Sequence, residues 1–177
     1  MTRGAAAEPA MPGHDPVAFD AHDHGQCVET AIAAAEAHCA AESLRFTPVR
    51  RAALEILLSE HRAMGAYELL DRLNQAGFGS QPPVAYRALE FLVANGFVHK
   101  IERLNAFIAC AHPGENHSPA FLICRLCEAV AEAQSAPARG SLGEAAKATG
   151  FQIERTVVEA LGVCPTCAGK SAEKTGA

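Results

Sequence analysis

The residues of this chain best suited to chemistry are two pairs of cysteines, Cys124-x-x-Cys127 and Cys164-x-x-Cys167. Each pair sets two thiolates on a tight turn, and two such turns brought together supply the tetrahedral four-sulfur shell that structural zinc prefers. The stretch between the pairs is longer than in a compact zinc ribbon, so the shell would clip a whole strand-helix-strand unit. Two other chemistries compete. Four buried thiols can pack as small apolar residues without any metal. A redox dithiol belongs at a helix start after a βα unit, whereas Cys124 ends an apolar run and Cys164 sits in a Gly-Val-Cys-Pro-Thr-Cys turn.

A second set of donors is more scattered: His99, Cys110, His117 and Glu132. One thiolate, two imidazoles and one carboxylate suit tetrahedral zinc better than hexacoordinate ferrous iron or manganese, which favour oxygen and nitrogen. Spacing alone does not join these four, because a histidine on a short strand is more often a surface residue and a glutamate after a strand more often a solvated charge. A zinc hydrolase would need an open metal position with a general base beside it. The sequence holds neither His-Glu-x-x-His nor a nucleophile elbow, so no catalytic residue is assigned and no small-molecule substrate other than zinc is expected.

Composition narrows the setting. The chain has seven cysteines, an odd count that would leave one unpaired in a secreted disulfide scaffold. In a reducing compartment the paired spacing reads as metal. No apolar run approaches the roughly 20 residues that span a bilayer, and the first residues lack a continuous apolar stretch of signal type, so a cytoplasmic location without membrane association is expected. The net charge of −5 is wrong for a binder of nucleic acid until it is divided along the chain. Residues 1–44 carry one Arg against seven acids, residues 45–105 eight Lys and Arg against six acids, and residues 106–177 six against seven. Only the middle segment is net basic.

The elements that must position these residues follow from periodicity. Residues 1–26 are rich in Ala, Pro, Gly, His and Asp and cannot offset the entropy of ordering, which predicts a disordered acidic extension carrying His14, His22 and His24. Helical spacing from Cys27 to about Glu42 predicts a first helix. Thr47 as N-cap and Pro48 at the first helical position open a second. A third runs through AYELLDRLNQAG to the stop at Gly77, and a fourth from Pro82-Pro83 to Gly96. The alternating segments FVHKIER and AFIACAH around Leu104-Asn105 predict a β-hairpin, which completes a winged helix-turn-helix. Pro113-Gly114 marks a hinge. Beyond it come short strands around AFLIC and AVAEAQ, a helix from Ser141 to Thr149, and a strand over FQIERTVVEA. The last unit is too small for a generous core and needs a metal staple and a partner chain.

The segments LRFTPVRRAALEIL, AYELLDRL, PPVAYRALEFLVANGFVHKIE and HSPAFLICRLCEAV, in this order, resemble the ferric uptake regulator family, most closely its zinc uptake regulator branch. The resemblance covers roughly residues 27–168. It implies an α+β fold in which an N-terminal winged helix-turn-helix domain (27–112) is followed by a small α/β dimerisation domain with structural zinc (113–168), then a flexible tail (169–177). It implies structural zinc on Cys124, Cys127, Cys164 and Cys167, and regulatory zinc on His99, Cys110, His117 and Glu132, two ions per chain. DNA contacts carry over to Tyr67 and Arg87, with Arg50 at the backbone, and Lys100 on the wing is expected to reach a phosphate. The implied function is a zinc-responsive repressor that binds double-stranded operator DNA as a homodimer and controls zinc-uptake genes. Alternatives are an iron, manganese or peroxide sensor of the same family, or a zinc-stapled protein-interaction module. The chain departs from the family pattern at Val84-Ala85, where relatives usually have Thr-Val before the Tyr, in lacking a His-His-Asp-His type segment, and in its long N-terminal extension with His14, His22, His24 and Cys27.

Overall fold

A computed structural model describes residues 24–60, 62–111, 113, 118–135, 140–154 and 156–173. Residues 1–23 of the expected extension, the hinge glycine Gly114 and the candidate ligand His117 lie outside the described residues, as do the side chains of His24 and Cys27, whereas residues 24–26, expected as part of that extension, open the first helix. Helices α1 (His24–Ala41), α2 (Pro48–Glu60), α3 (Ala66–Gln75) and α4 (Pro82–Ala94) share one apolar core. Ile32, Ala35 and Cys39 of α1 recur at helical spacing, as do Ala53, Leu54 and Leu57 of α2, Leu69, Leu70 and Leu73 of α3, and Ala85, Ala88, Leu89 and Leu92 of α4. Ala85 is 1% exposed and Val84 packs on the same core, so both residues that depart from the family pattern face inward.

The exit from α4 decides where the next strand goes. Gly96 takes φ +71°, its N–H donates to the Val93 carbonyl at 3.2 Å, and the Phe97 N–H donates to the Leu92 carbonyl at 2.9 Å. That pairing satisfies the last carbonyls of the helix through a left-handed residue and turns the chain sharply. Phe97 is buried as the turn closes, and β2 (Val98–Ile101) follows at once. It pairs antiparallel with β3 (Ala106–Ala109), and a two-residue strand β1 (Met64–Gly65), not foreseen from the sequence, pairs with the other edge of β3.

The wing formed by β2 and β3 has two apolar faces. Val98 belongs to the helical core and Phe107 and Ala109 pack against it, whereas Ile101 and Ile108 join Phe121, Ile123 and Val130 in a second core. The latter three come from β4 (Ser118–Cys124) and β5 (Val130–Ser135), which form a sheet of order β5-β4-β6 with β6 (Val158–Gly162) parallel to β4. This second core therefore lies between the wing and the C-terminal sheet.

Helix α5 spans Ser141–Thr149, as expected. Two local expectations fail. The strand predicted over 151–160 begins only at Val158, opposite Ala120, and the next residue of β4 toward its start is Pro119, which has no N–H to offer a ladder. The segment after Cys164 was expected as a turn and tail, but Pro165 instead opens helix α6 (Pro165–Glu173), which extends into 169–177. Proline at a helix start loses no hydrogen bond and brings a preset φ. No helix among the described residues is long and apolar enough to cross a membrane.

Candidate metal centres and nucleic-acid surface

The cysteine pairs meet because of strand register. Cys124, the last residue of β4, lies opposite Gly162, the last of β6, so both parallel strands end side by side and each releases a cysteine turn on the same edge. Glu128 at φ +59° lets the first turn fold back, with its N–H donating to the Cys124 carbonyl at 2.9 Å. The second turn is the start of α6. The four sulfurs lie within 4.8 Å of one another, with Cys127 Sγ and Cys164 Sγ 3.7 Å apart. Tetrahedral zinc with Zn–S bonds of ~2.3 Å requires S···S distances of ~3.8 Å, so the residues fit the ion.

Electrostatics within the quartet favour one early thiolate. The Cys164 N–H reaches Cys124 Sγ at 3.4 Å and, with the Leu126 amide, lowers the Cys124 thiol to about 6. Cys167 is pushed up to about 12, chiefly by the thiols of Cys127 and Cys164 beside it. The helix-start position of Cys164 and Cys167 removes the reason for setting aside redox chemistry on local structure. What separates the two chemistries is convergence: a dithiol needs two sulfurs, and here four meet at tetrahedral spacing.

The second cluster joins His99 of β2, Cys110 just beyond β3, and Glu132 of β5, with donor atoms within 4.8 Å of one another. His99 and Cys110 are 8% and 3% exposed, and the Glu132 side chain is 5% exposed. His99 Nε2 stands 3.4 Å from Glu132 Oε1, close to the ~3.3 Å expected between nitrogen and oxygen ligands of one tetrahedral zinc. The other carboxylate oxygen accepts the Ala111 N–H at 3.0 Å, which orients the group. The His99 ring also rests against Phe121, centroids 5.6 Å apart. The structure thus brings together three of the four candidate ligands. They come from both sides of the wing-sheet core, which spacing in the sequence could not reveal.

The expected DNA-contact residues are placed unequally. Arg87 projects exposed from α4, next to Tyr86, and Tyr67 at the start of α3 is 67% exposed. The two tyrosines meet edge-on at 6.4 Å, so exposed side chains of α3 and α4 share one patch. Tyr86, not singled out from the sequence, is 42% exposed beside Arg87 on the outward side of α4. Lys100 Nζ pairs with Glu102 at 2.6 Å on the wing. Arg50 is half-buried and engaged within the fold, its guanidinium 3.6 Å from the centre of the Phe91 ring and donating to the Arg45 carbonyl.

No protein-family model matches the chain. It is 37% identical over 137 residues to the zinc uptake regulation protein of Escherichia coli strain K12, covering 77% of this chain and 80% of that protein. Among solved structures, a zinc uptake regulator complexed with zinc and DNA superposes with a TM-score of 0.78 at 36% identity, over 82% of this chain and 97% of that one. The holo form of the regulator XcZur gives a TM-score of 0.71 at 42% identity, over 79% and 98% of the two chains. The Helicobacter pylori ferric uptake regulator, 17% identical with a TM-score of 0.51 over 80% and 93% of the two chains, shares the fold. By sequence identity and by the α+β architecture, this chain belongs to the zinc uptake regulators of the ferric uptake regulator family.

Proposed function

We propose that the chain is a zinc-responsive transcriptional repressor that binds operator DNA as a homodimer and controls zinc-uptake genes in the cytoplasm. The observation that carries this reading is the placement of the second donor set across the seam between wing and C-terminal sheet. His99 and Cys110 belong to the reader, Glu132 to the sheet, so one ion held by all three ties the reader's orientation to the rest of the molecule. Zinc supplies there a tetrahedral, redox-silent anchor for nitrogen, sulfur and oxygen donors. His117 is assigned to the same shell, and the cysteine quartet to a structural ion, giving two per chain. The reader and the dimerising unit are taken as 27–112 and 113–168.

Each residue then has a task. Glu132 both ligates and fixes the chain at Ala111, Phe121 presses on the His99 ring, and Arg87 with Tyr67 and Tyr86 faces the duplex. Among the described residues, six of the nine large exposed apolar side chains, Leu122, Leu126, Leu142, Phe151, Leu161 and Val163, fall in the C-terminal part, which supports assembly through it. The relatives bear on the same reading, since one solved regulator is complexed with both zinc and DNA. A thiolate at Cys110 weighs against iron or manganese as the effector. Duplexes enriched from a random-sequence library, titrated against the protein as free zinc is buffered upward, test the function together with zinc content per chain. Binding that does not change with zinc would overturn it, and an interaction module would enrich no duplex.

A further inference from the structure

The row of residues that crosses the C-terminal sheet at Phe121 has a carboxylate at each end. Phe121 of β4 lies opposite Glu132 of β5 and opposite Glu159 of β6, and side chains in one such row share a face of the sheet. That face carries Phe121 against the wing. Glu132 and Glu159 therefore flank it about 10 Å apart, two strand spacings. Glu132 meets His99 at one end of β2. Glu159 meets the other end: its two carboxylate oxygens accept the backbone N–H groups of Glu102 at 2.7 Å and Arg103 at 3.1 Å, in the turn that joins β2 to β3.

We infer that Glu159 is a positioning residue for the proposed DNA binding, holding the wing turn against the C-terminal sheet independently of metal. The inference rests on that functional reading only for its purpose, and its geometry stands alone. Pinned at one point, the wing can still pivot on the apolar contacts of Ile101 and Ile108. Pinned at both ends of a four-residue strand, it cannot. Glu159 is not a member of the second donor cluster, so its effect there acts through the wing's position. Two amide donors on one carboxylate are charge-assisted and favour the docked arrangement by roughly tenfold when partly solvated. The apparent affinity of a site that exists only when docked falls with the docked fraction.

The test uses the full chain carrying Glu159→Ala or Glu159→Gln, with amide hydrogen exchange and a zinc titration against a competing chelator, both without DNA. Glu159→Ala is expected to accelerate exchange at Glu102 and Arg103 by roughly tenfold while the ladder amides of β2 and β3 keep their protection. Glu159→Gln, which retains one acceptor oxygen, should fall between Ala and wild type. Zinc affinity at the His99, Cys110 and Glu132 cluster should weaken up to about tenfold, while zinc on the cysteine quartet and the dimer fraction stay unchanged. Unchanged exchange at the two amides, unchanged zinc affinity at that cluster, or uniform loss of protection throughout the wing would each overturn the inference. A wild-type chain that enriched no duplex would defeat the proposed function but leave this readout intact.

Discussion

Replacing Cys110 by Ser separates the proposed switch from the proposed staple. The residue is 3% exposed and its N–H donates to the Phe97 carbonyl at 2.9 Å, a bond the substitution leaves in place, so the hairpin should keep its register. What is lost is a thiolate in a shell shared between wing and sheet. A ligand shifts a conformational equilibrium only by its differential affinity for the two arrangements, typically ~1–3 kcal/mol for coupled sites. Here the docked arrangement is also supported by the shared core of Ile101, Ile108, Phe121, Ile123 and Val130 and by Glu159, which do not depend on the ion. The ion has less left to contribute, so ~1–2 kcal/mol per site is expected. Two sites in a dimer then give ~2–4 kcal/mol, or roughly 30- to 1,000-fold in duplex affinity. Cys110→Ser should lose that gain while keeping the quartet's zinc and the dimer. Coupling is reciprocal, so duplex DNA should tighten zinc at the wild-type cluster by the same factor. Calorimetric zinc titrations with and without duplex read this directly. Equal zinc affinity in the two titrations would refute the mechanism even if zinc occupies the cluster.

Cys124→Ser should unfold or monomerise the chain, because a closed four-thiolate shell contributes folding free energy, apparently ~10–16 kcal/mol in zinc-finger peptides; a folded dimer of normal zinc content in sedimentation and metal analysis would refute the staple. Arg87→Ala should cost ~1–3 kcal/mol on the enriched duplex and little on a random one, whereas Lys100→Ala, whose ammonium already pairs with Glu102, should weaken both slightly and equally in anisotropy titrations. A hydrogen bond from Arg62 holds the Glu68 carboxyl below its ordinary 4.5, so its contribution is present at neutral pH and lost as pH falls through the lowered value. Because both side chains are more than a third exposed, 42% and 39%, solvent screening limits Glu68→Gln to under about 1 kcal/mol at neutral pH. That difference should fade in denaturant melts as acid protonates the carboxylate, and one unchanged between neutral and acid pH would refute the pairing.

The helices were legible in the sequence because each carries its own stop and start: Thr47-Pro48, Gly77, Pro82-Pro83 and Gly96 punctuate the periodic runs. The quartet was legible because each half is local, a Cys-x-x-Cys turn whose partner needs only to be found. The second donor set was nameable but not joinable, since His99, Cys110 and Glu132 meet through antiparallel pairing of β2 with β3 and docking of the wing on β4 and β5, all non-local events. Glu159 left no trace at all. In FQIERTVVEA it reads as one more charge on a strand, and its role depends on β6 crossing back to lie beside β4. The same run misled on length, because alternation signals where a strand could form, whereas the ladder with β4 forms only from Val158.

This division between local and non-local construction bears on how one chain can hold the same ion for two purposes. The quartet is built on the ends of β4 and β6, adjacent strands of one sheet, so its donors converge whenever that sheet forms. Its affinity is therefore coupled to folding of that sheet rather than to docking of the wing. The second cluster has donors on two sheets, β2 with the segment after β3 on one side and β5 on the other, so its donors converge only when those sheets dock. Its affinity must include the free energy of docking, and every contact in the seam, from Phe121 to Glu159, enters that term without touching the ion. A weaker seam raises the free zinc needed to close the site, and a stronger one lowers it. In this arrangement the response threshold is set by residues that are not ligands, and substitutions at Phe121, Ile108 or Glu159 should move it while the ligand set stays the same.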